Sequence, residues 1–370
     1  AEIDEVNECL RSGWLGTGPR VAAFERAFAE YKRTQHAVAV GSCTAALHLS
    51  IVAADLEPGD EVITTAMTFC ATVNAIVNAG GVPVLCDVEP DTMNIDPEAV
   101  EAAITPRTRA ILVVHFAGRS CAMDRILAIA EKHDLQVIED CAHAIETTFR
   151  GRPAGTMGDF GCFSFYATKN ITTGEGGMVI AAAEDLAARI KRLALHGMTA
   201  DAWKRFGDEG FRHYFVDDRG FKCNMMDLQA AIGIHQLARV EEHWRWRDAL
   251  WQAYSEALAE LPVQGPAGRS TEEELAPGGS RHGLHLYTVL VEDRDAVLDA
   301  MTKDGIGLGV HYLAIPEHPF YRRAFGWEPD AFPVATSIGR RTLSLPLSPG
   351  LTESDQARVI ASLGRALARD

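Results

Sequence analysis

Short apolar runs and amphipathic segments take turns along the first half of this chain, and that alternation narrows its fold more than any other feature. Ala37 to Val40, Glu61 to Thr64, Val82 to Val88 and Ile111 to Phe116 read as strands. Helices are expected from near Ala45, from about Cys70, from Pro97 and over Met123 to Lys132. Strands joined through helices cannot pair as hairpins, so the pattern predicts an α/β fold with a mainly parallel sheet and helices on both faces. Ligands of such sheets collect at the carboxyl ends of the strands. Later, Leu228 to about Leu261 reads as a long Ala-rich helical stretch carrying Trp244, Trp246 and Trp251 near a bend. Residues 198 to 220 read as a long loop, and Pro262 to Ser280 as a linker. Beyond it, His285 to Val291 and Gly309 to Tyr312 are expected strands around a helix over Asp295 to Lys303. With 370 residues there is room for two units. The expected division is 1–245 for a large domain, N-terminal loop included, and 246–370 for a small C-terminal α/β domain.

Residues 137 to 177 carry the chemistry. Val137 and Ile138 end an apolar run that delivers Glu139 and Asp140 to a strand's carboxyl end, and His143 follows. A second apolar stretch, Phe163 to Ala167, presents Thr168-Lys169-Asn170 before the glycine-rich turn Thr173 to Gly177. An acid, a histidine and a lysine in this order point to pyridoxal 5'-phosphate. A carboxylate against the pyridine nitrogen keeps that nitrogen protonated, so the ring can take up electrons; Asp140 is the candidate. Burial can lower the pKa of a lysine enough to free its amine for a Schiff base with the aldehyde, which is the part expected of Lys169. Gly41-Ser42-Cys43-Thr44 turns the first strand into a helix. Its free N–H groups and the Ser42 and Thr44 hydroxyls make a phosphate site, or else these residues are simple N-caps. Ser164 can add a hydroxyl to the same phosphate, since alternate strand residues share a face.

Charge and composition remove other classes of function. A net charge of −16 and a pI near 5.3 argue against general affinity for nucleic acid or an anionic membrane, because phosphate contacts need clustered Lys and Arg. The eight cysteines form no CxxC pair and sit mostly in apolar segments, so they read as small buried hydrophobes in a reducing cytosol. No apolar run approaches the length of a membrane span and no secretory signal is seen, which gives a cytoplasmic expectation. Neither HExxH nor CxxC spacing occurs, so no metal is expected.

The block IEDCAHA followed by FSFYATKNITTGEGGM resembles the DegT/StrS-type aminotransferases. Similar stretches run from SGWLGTG through GSCTAALHL, PGDEVITTAMTFCAT, VVHFAGRSCAMDRI and GFKCNMMDLQAAIG to GVHY and LSLPLSP, nearly the whole chain. The resemblance implies a fold-type I PLP-transferase, a homodimer with shared active sites, and ping-pong transfer from glutamate or glutamine to a nucleotide-linked keto sugar. HFAG and KCNM look closer to members acting on 4-keto-6-deoxy sugars. A 3-keto sugar or keto-cyclitol of aminoglycoside-type biosynthesis, or a non-catalytic regulatory member, are the alternatives. Lys169, where some members carry histidine, points to transamination. The resemblance further implies that Phe69 stacks on the pyridine ring and that His143 lies near the ring or its phenolic oxygen. It places Cys43 among the phosphate contacts, where the family usually has a smaller residue. Asn224 would reach the cofactor phosphate of the neighbouring subunit, with Lys222 beside it, while Trp14 and His311 would lie on the substrate side.

Overall fold

A computed structural model describes residues 1–199, 215–266 and 278–368 of the chain. Two helices, α1 (Glu2–Ser12) and α2 (Pro19–Tyr31), lead into β1 (Ala37–Val40) and α3 (Cys43–Ala53). The expected alternation follows: β2 (Glu61–Thr65), α4 (Cys70–Asn78), β3 (Val82–Cys86), α5 (Pro97–Ala102), β4 (Thr108–Val114), α6 (Met123–His133) and β5 (Gln136–Asp140). A two-residue hairpin, β6 (Thr148–Phe149) with β7 (Arg152–Pro153), precedes β8 (Phe160–Ser164), β9 (Gly177–Ala181) and α7 (Glu184–Ala194).

Seven strands form one sheet in the order β1-β9-β8-β5-β4-β2-β3. β2, β3, β4, β5 and β8 pair in parallel, whereas β9 runs antiparallel to both β8 and β1. The reversal matters for the site. Six strands end at one edge, and the single reversed strand begins there, joined to β8 by one loop, so six loops converge.

The strands are apolar almost throughout because both faces are covered. Along β4, Ile111 and Val113 join one core while Ala110, Leu112 and Val114 join the other, as the two-residue period of a strand demands. The first core holds Phe24 and Phe28 of α2 against Phe163 and Phe165, with ring centroids 5.0 to 5.6 Å apart across those pairs. The second packs α3 and α7 on the opposite face.

Further along, the expected helix over 228–261 is two helices, α8 (Asp227–Ala238) and α9 (Val240–Ala257), broken at Arg239. The boundary expected at 245/246 falls inside α9: Val240 packs into the first sheet core, Trp244 and Trp251 into a third, C-terminal one. That C-terminal core surrounds β10 (Tyr287–Leu290), paired antiparallel with β11 (Thr342–Leu345), and the helices Arg294–Lys303 and Glu353–Leu367. The strand expected over Gly309 to Tyr312 is not one. Only Gly309 bridges to Ser344; the chain then leaves the ladder, and His311 and Tyr312 line a cavity instead. Parts of the expected loop over 198–220 and linker over 262–280 lie outside the described residues.

Gly177 opens β9 where α3 begins. A methyl group there would stand 2.5 Å from the Ser42 carbonyl carbon and 2.8 Å from the Cys43 nitrogen. Backbone cannot yield as a side chain end would, so Gly177→Ala should cost about 1–3 kcal/mol, as overpacking does. Urea unfolding of the cofactor-free protein measures it; an unchanged midpoint would mean that α3 gives way freely.

Candidate active site

A cavity of about 410 Å³ opens at the edge where these loops meet. Its floor is β5. Asp140 ends that strand, and the turn after it brings in Ala142 and His143. From the β1–α3 turn come Ser42, Cys43 and Thr44; from the β2–α4 connection Thr68, Phe69 and Thr72; from the β8–β9 loop Ser164, Tyr166, Thr168, Lys169, Glu175 and Gly176. His311 and Tyr312 close it from the C-terminal part. Nine of the residues singled out in the sequence meet here: Ser42, Cys43, Thr44, Phe69, Asp140, His143, Ser164, Lys169 and His311.

Asp140 is 5% exposed, and no Lys or Arg among the described residues pairs with it. Its carboxylate accepts from neutral groups only. Ala142 N–H reaches Oδ1 at 3.1 Å and the Thr72 hydroxyl reaches Oδ2 at 3.0 Å. Thr72 has spent its proton there, so its oxygen accepts the Thr68 hydroxyl at 2.8 Å. The Cys43 thiol points at Oδ1 from 4.0 Å. Burial raises the Asp140 pKa, against the pull of the Ala142 N–H, the Thr72 hydroxyl and the Lys169 charge. Lys169 shows the complement: burial lowers its pKa, opposed by Cys43 and Asp140, so its amine is neutral over more of the pH range than a free lysine.

His143 is held in one tautomer. Ala117 N–H donates to Nδ1 at 3.2 Å, so the proton of the neutral ring sits on Nε2 and is donated to the Tyr312 hydroxyl oxygen at 3.0 Å. Burial keeps the ring neutral, helped by the charge of Lys169. Burial likewise pushes His311 down to about 4, while its Nδ1 meets Ser344 Oγ at 2.8 Å.

Ser42 caps α3, accepting Ala45 N–H at 3.1 Å, and the first N–H groups of that helix have no acceptor within it. The N-cap and the anion site are therefore the same turn. Ser164 Oγ accepts Tyr166 N–H at 3.3 Å, which leaves its own proton to give. Phe69 precedes α4 at the rim, 57% exposed.

Three expected residues stay outside. Trp14 is exposed, its indole N–H donating to Thr17 O at 3.0 Å. Asn224 bridges Val40 and donates to the Thr17 hydroxyl at 2.7 Å, and Lys222 bridges Leu195. None lines the cavity of its own chain. Sequence reasoning missed Thr68, Thr72 and Tyr312. The i, i+4 spacing of Thr68 and Thr72 was a usable signal, and Tyr312 directly follows His311.

Beside the cavity, His115, Glu139 and Cys141 come within 4.8 Å of one another, the one such group among the described residues. It is already satisfied: Glu139 accepts from Gly155, Met157 and Gly158 N–H and from His115 Nε2, while His115 Nδ1 accepts Cys121 N–H. Every ring and carboxylate atom has a partner, so Glu139 reads as the structural acid and Asp140 as the chemical one.

The donor set fits pyridoxal 5'-phosphate. A buried carboxylate that lacks a cation suits a protonated ring nitrogen, a neutral-prone amine suits an aldehyde, and a helix N-terminus with two hydroxyls suits a phosphate. Because folding raises the Asp140 pKa, the empty fold binds that proton more tightly than the unfolded chain. The associated stability is full below the unfolded pKa and lost as pH rises through the folded one. Asp140→Asn should therefore melt higher than the cofactor-free wild type near neutral pH, and the gap should close in acid. A gap constant with pH would contradict a buried charge.

The profile of the DegT/DnrJ/EryC1/StrS aminotransferase family matches residues 1–364. The spore coat polysaccharide biosynthesis protein SpsC of Bacillus subtilis (strain 168) is 45% identical over 369 residues, 98% of this chain and 93% of SpsC. The putative sugar aminotransferase Spr1654 from Streptococcus pneumoniae, in its PMP form, superposes with a TM-score of 0.92 at 32% identity, covering 99% of this chain and 96% of that one. Its PLP form gives 0.91 at 31%, over 99% and 95%.

Proposed function

We propose a function from one premise: the chain belongs to the DegT/DnrJ/EryC1/StrS aminotransferase family. It is an aminotransferase, and its reaction is pyridoxal-phosphate-dependent transfer of an amino group from glutamate or glutamine to a nucleotide-linked keto sugar of the 4-keto-6-deoxy kind, by a ping-pong route. The observation that carries this reading is the pairing of Asp140, buried without a salt-bridge partner among the described residues, with Lys169, half-buried and with no side-chain hydrogen bond among the described residues, across one cavity. The sugar aminotransferase named among the structural neighbours supports the substrate class.

When bound, the cofactor supplies an aldehyde carbon and a ring that accepts the electrons released at the substrate carbon. Lys169 would hold the cofactor through its aldehyde carbon, and its free amine would accept and return the proton of the donor's α-carbon. Its lowered pKa serves both tasks, since only the neutral amine can attack or accept a proton. Asp140 would meet the ring nitrogen with its carboxylate, which Thr72, Thr68 and Ala142 hold in place. The α3 N–H groups with the Ser42, Thr44 and Ser164 hydroxyls would bind the phosphate, with Cys43 beside Asp140, and Phe69 would pack on the ring. His143, neutral, offers no competing cation.

Two charges remain unmet. Lys169 is the one Lys or Arg lining the cavity among the described residues, while a phosphate dianion and a nucleotide diphosphate must both be accommodated. Asn224 and Lys222 of a second copy would complete the site, with Trp14 and His311 toward the sugar. Exposed Trp14, Leu15, Phe215, Val216 and Met226 supply apolar surface for that copy to cover. We place the division into a large and a small domain within α9.

Borohydride reduction of the loaded enzyme should leave the cofactor's mass on the peptide carrying Lys169, and Lys169→Ala should bind cofactor reversibly while losing several orders of magnitude in turnover. Label on another lysine would sink the assignment. Mixing Lys169→Ala protein with an impaired Asn224→Ala protein should restore part of the activity, since half of the mixed sites inherit neither lesion. No recovery despite demonstrated subunit exchange would argue for sites built from single chains.

A further inference from the structure

The residue after the lysine is held more firmly than the lysine itself. Asn170 Nδ2 donates to Glu146 Oε2 at 2.7 Å and to Gly283 O at 3.0 Å. Both amide protons are thereby used, and both face acceptors, so the amide orientation is fixed and Oδ1 must accept. It meets His285 Nδ1 at 2.8 Å, which places that ring's proton on Nδ1. His285 lies against His143, ring centroids 4.4 Å apart, with the rings tilted by 31°. One side chain thus ties the Lys169 turn to the loop after β5, to the 283–285 segment and to a wall of the cavity.

Its anchor is costly. Glu146 and Arg247, 0% and 1% exposed at the side chain, form a buried ion pair, and Arg247 Nε and Nη1 have no partner at all. Taking two charges out of water with such incomplete satisfaction stabilises a fold poorly, and an apolar pair of similar volume is often as good or better. That lack of partners holds among the described residues, and Arg247 also comes from α9, the helix that passes from the sheet core into the C-terminal core.

Resting on the reading that Lys169 is the reacting amine, we propose that Asn170 is a positioning residue for Lys169, clamped by the buried Glu146–Arg247 pair and His285. The pair gives up stability for placement. It presents a carboxylate oxygen that no apolar residue could offer, at the one point where the lysine turn can be gripped from α9. The amine therefore keeps a fixed depth in the cavity.

The test begins with the cofactor-free protein and acetic anhydride, following the pH dependence of Lys169 acetylation by peptide mass spectrometry. Wild type should give a midpoint below that of the other lysines in the same digest. Asn170→Ala should move the midpoint up toward ordinary lysine and speed the labelling, as the amine swings toward solvent. Should that variant fold poorly, Glu146→Leu combined with Arg247→Met removes both charges together and should keep the melting temperature while shifting the labelling in the same direction. In the loaded enzyme, Asn170→Ala should lower kcat about 10- to 100-fold, the scale of a misplaced reacting group, with little change in KM for the amino donor. Unchanged midpoint and rate in either variant, or a fall in kcat no larger than the fall in the folded fraction, would overturn the proposal. Labelling needs neither cofactor nor substrate, so failure to find amino transfer would count against the proposed function and leave this result standing.

Discussion

A buried carboxylate at the end of β5, with no Lys or Arg in a salt bridge to it among the described residues, is the constraint on which the rest of the cavity depends. Such a charge is unfavourable in an empty fold, and three neutral groups, the Ala142 amide, the Thr72 hydroxyl and, behind it, Thr68, do only part of the work of water. Lys169 feels the same dry surroundings in the opposite sense, so one act of burial prepares both an acid that wants a cation and an amine that gives up its proton readily.

The sheet explains how residues more than a hundred positions apart come to serve that carboxylate. Parallel pairing sends each strand's end to one edge, and the helices that must return the chain cover both faces, which is why the middles of the strands are apolar on successive residues rather than on alternate ones. Stability and site placement thus come from the same topology. Only the contributions of His311 and Tyr312 lie outside it, and they reach the cavity because their segment declines to join the small β10–β11 ladder.

Much of this was legible in the sequence, for physical reasons that also explain what was not. Strands and helices of the first half announce themselves by period, and β1 and β5 were placed almost to the residue. Asp140 could be placed because it ends β5, and Lys169 because it stands between an apolar run and a glycine-rich turn. Thr72 was harder, since a threonine inside a helix is usually inert and its spacing from Thr68 acquires meaning only once the fold brings it to Asp140. The Gly309 to Tyr312 segment misled for the opposite reason: its pattern suits a strand, but pairing is decided by the partner, and Thr342–Leu345 holds that place. The clamp on Asn170 was invisible, because Glu146, Arg247 and His285 share no local spacing with it.

The reversed strand β9 has a wider meaning. Ser164 and Gly177 face each other in register, and Phe165 N–H bonds Gly176 O at 2.9 Å, so the segment bearing Lys169 starts and finishes on one rung of the ladder. Its closure is local and entropically cheap, whereas a parallel crossover must be bridged by a whole helix. The identity of residue 169 is consequently independent of the scaffold. Such a loop can exchange its reactive group by a single substitution while every strand keeps its neighbours, which makes it an evolvable cartridge within an otherwise rigid frame.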